Sequence, residues 1–216
     1  MGSFGGSGIP NNSWTFTSSE ITRNGDTTSG NGVITNLSST SDLRVGFPVS
    51  GTGIGASAKI SSIDSSSQVT LDVNSTITDT GVSITFDCQF VVPTGVSTVL
   101  VDICGGGKGG KGDAGDHGDN GGTSSFGSYV SAAGANATYG SMTNNGQGFA
   151  TDNNGASAGS TPGDPGGAGV FYNLPVSVTA GESIDITIGT GGQGGTGNTD
   201  HGQDGADGIC VVKWIG

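Results

Sequence analysis

Two stretches bring carboxylates and imidazoles together: "DAGDHGD", residues 113–119, and "TDHGQDGAD", residues 199–207. Oxygen and nitrogen donors at that density are what a cation site needs. The calcium β-roll repeat, G-G-x-G-x-D-x-U-x, is the framework that would organise them. Started at Gly109, its register puts Ala114 where aspartate is required; started at Gly194, it puts Thr199 there. The repeat fails, so no metal is expected and the acidic residues read as solvated outward columns. Covalent chemistry finds no better footing. His117 and His201 both sit in glycine-rich repeats, and neither a G-x-S-x-G elbow nor another nucleophile setting is expected. "GTGGQGG", 189–195, is glycine-rich like a nucleotide loop, but no helical pattern follows it to offer an N-terminus to phosphate. The expectation is no catalytic residue, no cofactor and no enzyme: a chain that acts by recognition or as a scaffold.

Charge narrows the partners. The net charge is −12, with only six lysines and arginines. Phosphate binding needs clustered positive charge, so no nucleic-acid partner is expected, and simple attraction to an anionic membrane is disfavoured. No apolar run approaches membrane-spanning length. "MGSFGGSGIPNNSW" lacks the basic and apolar regions of a secretory signal. It also fails the myristoylation pattern, because Gly6 stands where serine or threonine belongs.

The elements that must position any site change character near residue 87. Residues 31–86 are rich in Ser, Thr, Val and Ile, with turn clusters between short alternating runs. That is the pattern of a small all-β module. "QVTLDV" puts Val69, Leu71 and Val73 on one face; "GVSITFDCQF" does the same for Val82, Ile84, Phe86, Cys88 and Phe90. The second run crosses the boundary, so the two modules are expected to share a strand. Residues 1–12 read as a flexible or partner-dependent arm. In residues 88–216, strands "STVLVDIC" (97–104), "SIDITIG" (183–189) and "GICVVKWIG" (208–216) frame glycine-rich sequence. No amphipathic helix is apparent anywhere.

Glycine supplies 45 residues, and its phase is informative. From Gly106 to Gly121 every third residue is glycine, without proline. An extended threefold helix has no internal hydrogen bonds, so its backbone groups need outside partners. A glycine column lets another backbone approach. In "GTGGQGGTGN", Gly189, Gly192 and Gly195 form one column, Gly191, Gly194 and Gly197 a second, and Thr190, Gln193 and Thr196 the third. Two glycine faces place this segment inside a bundle. "KGGKG" also has two, with Lys108 and Lys111 expected outward. "GDAGDHGDNG", "GQDGADG" and "GDPGGAG" have one column and belong outside. Threefold helices are thus expected at 106–121, 162–169 and 189–208, packed within one chain. A collagen triple helix and a plain flexible linker are the competing readings of the composition.

There are three cysteines, Cys88, Cys104 and Cys210. An odd count makes no disulfide framework, and the spacing is too wide for a zinc knuckle. Strands 97–104 and 208–216 enter and leave the bundle, so they are expected side by side. That would bring Cys104 near Cys210, bridged or as free thiols.

The motifs "VVPTGVSTVLVDICGGG" (91–107), "GGTSSFGSYVSAAG" (121–134), "VTAGESIDITIGTGGQGG" (178–195) and "DGADGICVVKW" (204–214) resemble, in order, those of the glycine-rich domain of phage tail-fibre tip proteins, including the adhesins of T-even-like phages. The segments "SSTSDLRVGFPVSGTGI" and "AKISSIDSSSQVTL" resemble a short β-module of phage tail and fibre proteins. The resemblance implies an all-β plus polyglycine-II fold with essentially no α-helix. A small antiparallel β-module for attachment or oligomerisation (1–87) would precede a strand-framed polyglycine-II bundle (88–216) with apical loops. It implies a virion protein, assembled in the host cytoplasm, that binds a host surface receptor, an outer-membrane protein or glycan, and docks on other fibre or tail proteins. A reducing cytoplasm favours free thiols. Phage fibres are commonly threefold, so the resemblance implies a homotrimer through residues 1–90, an association that would supply burial the modest apolar content of the first module lacks. Phe126 and Tyr129 fall in framework sequence and are expected to pack. Residues 135–161 match no framework motif and carry Tyr139, Met142 and Phe149 among Asn, Gly, Ser and Thr, which is paratope-like chemistry. With Asp200 and His201 of "NTDHGQD", these are the candidate receptor-binding residues. Alternatives are a virion decoration fibre without receptor binding and an ice-binding polyglycine-II protein.

Overall fold

The computed structural model describes residues 10–110, 118–135, 170–197 and 201–216. Among them every regular element is a strand. The strands are β1 (Asn12–Phe16), β2 (Glu20–Thr27), β3 (Val33–Ile34), β4 (Val49–Gly51), β5 (Ile60–Ser65), β6 (Gln68–Leu71), β7 (Asp79–Asp87), β8 (Gln89–Val91), β9 (Thr98–Cys104), β10 (Ser124–Phe126), β11 (Val130–Ala132), β12 (Val170–Ser177), β13 (Ser183–Thr187) and β14 (Ile209–Trp214).

The chain divides into two units, 19–91 and 1–18 with 92–216. This differs from the expected division at 87, and the N-terminal stretch goes with the glycine-rich unit. The physical reason is β1. "NSWTF" alternates, and it pairs antiparallel with β14, Asn12 opposite Trp214 and Phe16 opposite Cys210. Trp14 meets Trp214 edge-on, with ring centroids 5.6 Å apart. Asn11, in the stretch expected to be a flexible or partner-dependent arm, donates its N–H to the Trp214 carbonyl.

The 19–91 unit has two antiparallel sheets, ordered β2-β7-β4 and β3-β6-β5. Ile34, Leu43, Phe47, Ile60, Val69, Ile84 and Phe86 form its core. The alternation of "GVSITFDCQF" holds: Val82, Ile84, Phe86, Cys88 and Phe90 are all buried, although the strand breaks at Cys88. Arg23 grips both carboxylate oxygens of Asp42, at 2.7 and 2.6 Å.

In the other unit, β1-β14-β9-β12 make one antiparallel sheet, while β10 pairs with β11 and β13. Val99, Val101 and Ile103 are buried, as are Ile184, Ile186 and Ile188, so the expected inward faces are the observed ones. From β9, β10, β11, β13 and β14 the chain runs into segments 105–110, 118–123, 133–135, 189–197 and 202–208. None is a strand or helix, yet their backbones are joined by hydrogen bonds of 2.7 to 3.0 Å that recur every third residue. Gly208, Gly205 and Gly202 donate to the carbonyls of Gly189, Gly192 and Gly195. Gly192 and Gly195 donate to Gly107 and Gly110, which donate to Ala206 and Gln203. Gly106 and Gly109 donate to Gly122 and Asp119, which donate to Thr190 and Gln193.

Burial along 189–197 follows the same period. Gly189, Gly192 and Gly195 are buried, Gly191, Gly194 and Gly197 half-buried, and Thr190, Gln193 and Thr196 exposed. The glycines are required for space. A Cβ on Gly192 would lie against the Asp119 carbonyl, on Gly109 against that of Gln193, and on Gly205 against that of Gly107, each well inside 3.0 Å. None of these three has a positive φ, so left-handed freedom is not what they supply.

Gly192→Val should therefore destabilise the protein by at least about 3 kcal/mol, because two bonded backbones must separate. Thr190→Val, on the exposed column, should stay within about 0.5 kcal/mol. Chemical denaturation of the two variants measures the contrast.

Candidate functional site

The segments are ordered in layers that lead away from the sheets. The layer next to them holds Gly189 and Gly208, tied to β10 and β9 through Ser124: its Oγ accepts the Gly189 N–H and donates to the Cys104 carbonyl. The outermost bonded layer holds Gly109, Gly110, Asp119, Gln193, Gly195, Gly202 and Gln203. Gly110 and Gly118, which flank residues 111–117, and Gly197 and His201, which flank residues 198–200, are at this layer or next to it. Residues 136–169 continue from Ala135, which is bonded to Gly106 and Gly121 on a segment running outward beside 105–110.

Of the candidate residues only His201 is described, and it stands at this outer end; the segment that carries Tyr139, Met142 and Phe149 is flanked by Ala135, bonded to Gly106 and Gly121, and by Val170, paired with Cys104. Tyr139, Met142, Phe149 and Asp200 lie outside the described residues, as do the 162–169 segment, Lys111 and His117. So does "GASAG", residues 155–159, a G-x-S-x-G string that the expectation of no such elbow passed over. His201 is exposed, and its Nδ1 accepts the Gly197 N–H at 3.3 Å. Two more side chains repeat that role: Asp204 accepts the N–H of Gly194 at 2.8 Å, and Asp207 that of Gly191 at 2.7 Å. Asp204 and Asp207 thus serve the lattice as well as facing solvent. Among the described residues no group of three or more His, Cys, Asp or Glu is placed to hold a metal.

Lys108 corrects an expectation. It was expected outward and is buried, only 2% exposed, with Nζ donating to the Gly118 carbonyl at 2.6 Å. Segment 118–123 lies against segment 105–110, and the ammonium finds a backbone acceptor there. Phe126 is fully buried. Tyr129 lies 6.0 Å from it between centroids, is 43% exposed and donates its hydroxyl to Glu182.

A buried ion pair escaped the sequence reading. Asp102, 3% exposed, pairs with Lys213 and accepts the N–H of Asn173 at 2.7 Å. Asn173 has φ 49° and sits in the β12 bulge between Phe171 and Leu174. Lys213 also donates to Asn173 Oδ1 at 3.1 Å and lies 4.9 Å from the Tyr172 ring centroid. The signal was present: "VLVDIC" and "VVKW" each carry one charge in an otherwise apolar strand. The cluster pins an irregular edge strand, and the bulge and Pro175 make that edge a poor template for further pairing.

β9 and β14 are neighbours, as expected, but the register separates the cysteines. Cys104 stands opposite Ile209, and Cys210 opposite Ile103. One step out of register puts the two thiols on opposite faces of the sheet. None of Cys88, Cys104 and Cys210 forms a disulfide among the described residues. No protein-family model, no curated protein and no solved structure matches the chain.

Burial, helped by the Asp102 carboxylate, pushes the Cys210 thiol up to about 12. In the unfolded chain a cysteine ionises near pH 8.5. Above that pH the unfolded state binds fewer protons than the folded state, so stability falls as pH rises towards about 12. The expected loss from Cys210 is about 1.4 kcal/mol per pH unit in that window. Denaturant melts from neutral to about pH 10 should show it, and Cys210→Ala should flatten the slope.

Proposed function

We propose that the glycine lattice is a polyglycine-II bundle and that the chain is a phage virion fibre or tip protein that binds a host surface receptor at the outer end of that bundle. The observation that carries this reading is where the described ends of two connections lie. Gly110 and Gly118, which flank residues 111–117, and Gly197 and His201, which flank residues 198–200, stand at the outermost hydrogen-bonded layer, and segment 133–135 runs towards that end. A lattice of bonded backbones is a rigid support, and recognition is commonly placed on connections held by such a scaffold. Hydrogen bonds at every third residue support the polyglycine-II assignment, since an extended threefold helix repeats its orientation at that interval. The order of the motifs shared with phage tip proteins supports the rest. The protein works by recognition, without chemistry of its own, and docks on other virion fibre or tail proteins. Tyr139, Met142 and Phe149, with Asp200 and His201, are the proposed contacts.

Tyr139→Ala and Phe149→Ala should each reduce host adsorption while leaving melting unchanged. Aromatic anchors often contribute about 2 kcal/mol or more to binding. Unchanged adsorption with a lowered melting temperature would assign both residues to packing and favour a decoration fibre. The homotrimer through residues 1–90 is part of the same proposal. It draws support from Val45 and Ile63 of the 19–91 unit, which are 53% and 38% exposed. Light scattering should give three times the chain mass. A stable monomer across a wide concentration range removes the trimer but leaves receptor binding untouched.

A further inference from the structure

Within the lattice, a backbone N–H on a glycine column is normally taken by a neighbouring backbone carbonyl, as Gly192 and Gly195 are by Gly107 and Gly110. The adjacent column, Gly191, Gly194 and Gly197, is treated differently. Its N–H groups are taken by the side chains of Asp207, Asp204 and His201, at the same three-residue interval. The segment supplying them, 202–208, has its glycines turned inward, and Gln203, Asp204, Ala206 and Asp207 exposed. Its third-position side chains reach over and occupy donors that a further backbone would otherwise use.

We propose that Asp204, Asp207 and His201 terminate the glycine lattice and keep its outer edge from adding a second copy of this chain. Backbone pairing on a glycine column is nearly blind to sequence, because it requires only a three-residue repeat of donors and acceptors with no Cβ between them. A second copy carries that repeat. The problem is the one an unpaired sheet edge poses, and charged residues at the edge are a common protection there. Here the carboxylates both fill the donors and place negative charge on the outer side. Sequence writes the device as Gly-x-Asp, with the acid at the third position of the triplet.

The test is sedimentation velocity of the full chain over a range of concentrations, for Asp204→Ala/Asp207→Ala beside the Asp204→Asn/Asp207→Asn variant. The alanine variant should self-associate, its weight-average mass rising to at least about twice the wild-type value. Hydrogen exchange should show faster exchange at Gly191 and Gly194 in the dilute, unassociated sample. The asparagine variant keeps an acceptor oxygen and should retain wild-type mass and protection. A folded alanine variant with wild-type mass at every concentration would overturn the proposal. So would an asparagine variant that associates equally, since charge repulsion alone would then be responsible. If the double alanine variant loses its fold, Asp207→Ala, which frees Gly191 alone, is read in the same way. Unfolding of that variant too would overturn the proposal and assign the caps to stability.

Discussion

The glycine segments of this chain are organised by the absence of a carbon atom. Where the glycine segments pack, one backbone stands where another's Cβ would be, and carbonyl oxygens occupy the space. The bonding layers follow from that close approach. Hydrophobic burial cannot hold such a region together, since glycine has no side chain to bury. Its cohesion rests on backbone hydrogen bonds, each of modest net worth, about 0.5–1.5 kcal/mol, but dense and mutually aligned. The sheets at the base supply what the lattice lacks. Val99, Val101, Ile103, Ile184, Ile186, Ile188, Cys210 and Val212 form an ordinary apolar interior from which the segments emerge in fixed register.

The junction between these two kinds of packing is economical. Ser124 Oγ joins β9, β10 and the start of the 189–197 segment through one donated and one accepted bond. Lys108 performs a similar task further out, with a long stem and a cationic tip in place of a hydroxyl. The Asp102–Lys213 pair steadies the bulged edge of the supporting sheet. Polar side chains in this unit are therefore concentrated where backbone geometry is irregular and its hydrogen bonds need completing.

Much of this was legible in the sequence because periodicity reports which residues share a face. The two-residue alternation of 81–90 and 97–104 and the three-residue phase of 189–197 both reappear in the burial pattern. Periodicity does not report which neighbour covers a face. Lys108 shares a column with Lys111 and reads as outward, but the returning 118–123 segment covers it. Nor does it reveal partners distant in the chain. "NSWTF" is short, sits beside a glycine-rich arm, and gains its meaning only from β14. The cysteine pair turned on register parity, which strand adjacency alone leaves open. For the candidate site, His201 could be placed, and with it the cap it forms on Gly197. The aromatic candidates lie between Ala135 and the 162–169 repeat, in sequence that has no three-residue glycine phase to read.

The pairing of β1 with β14 has a consequence for how the protein is made. Translation delivers Trp214 about 200 residues after Trp14, with the whole 19–91 unit emerging between them. That inserted unit has all its internal strand pairs complete once Asp87 has been made, and it can close before Trp214 appears, as domains generally fold as units during synthesis. The glycine-rich unit cannot. Its first strand must wait, unpaired, for a partner that does not yet exist, and segment 189–197 lacks its 202–208 neighbour until almost the same moment. The unit is completed by a late, long-range closure, a topology that slows folding and lengthens exposure of nascent apolar surface. Trp14 and Phe16 are the residues that such a delay leaves uncovered.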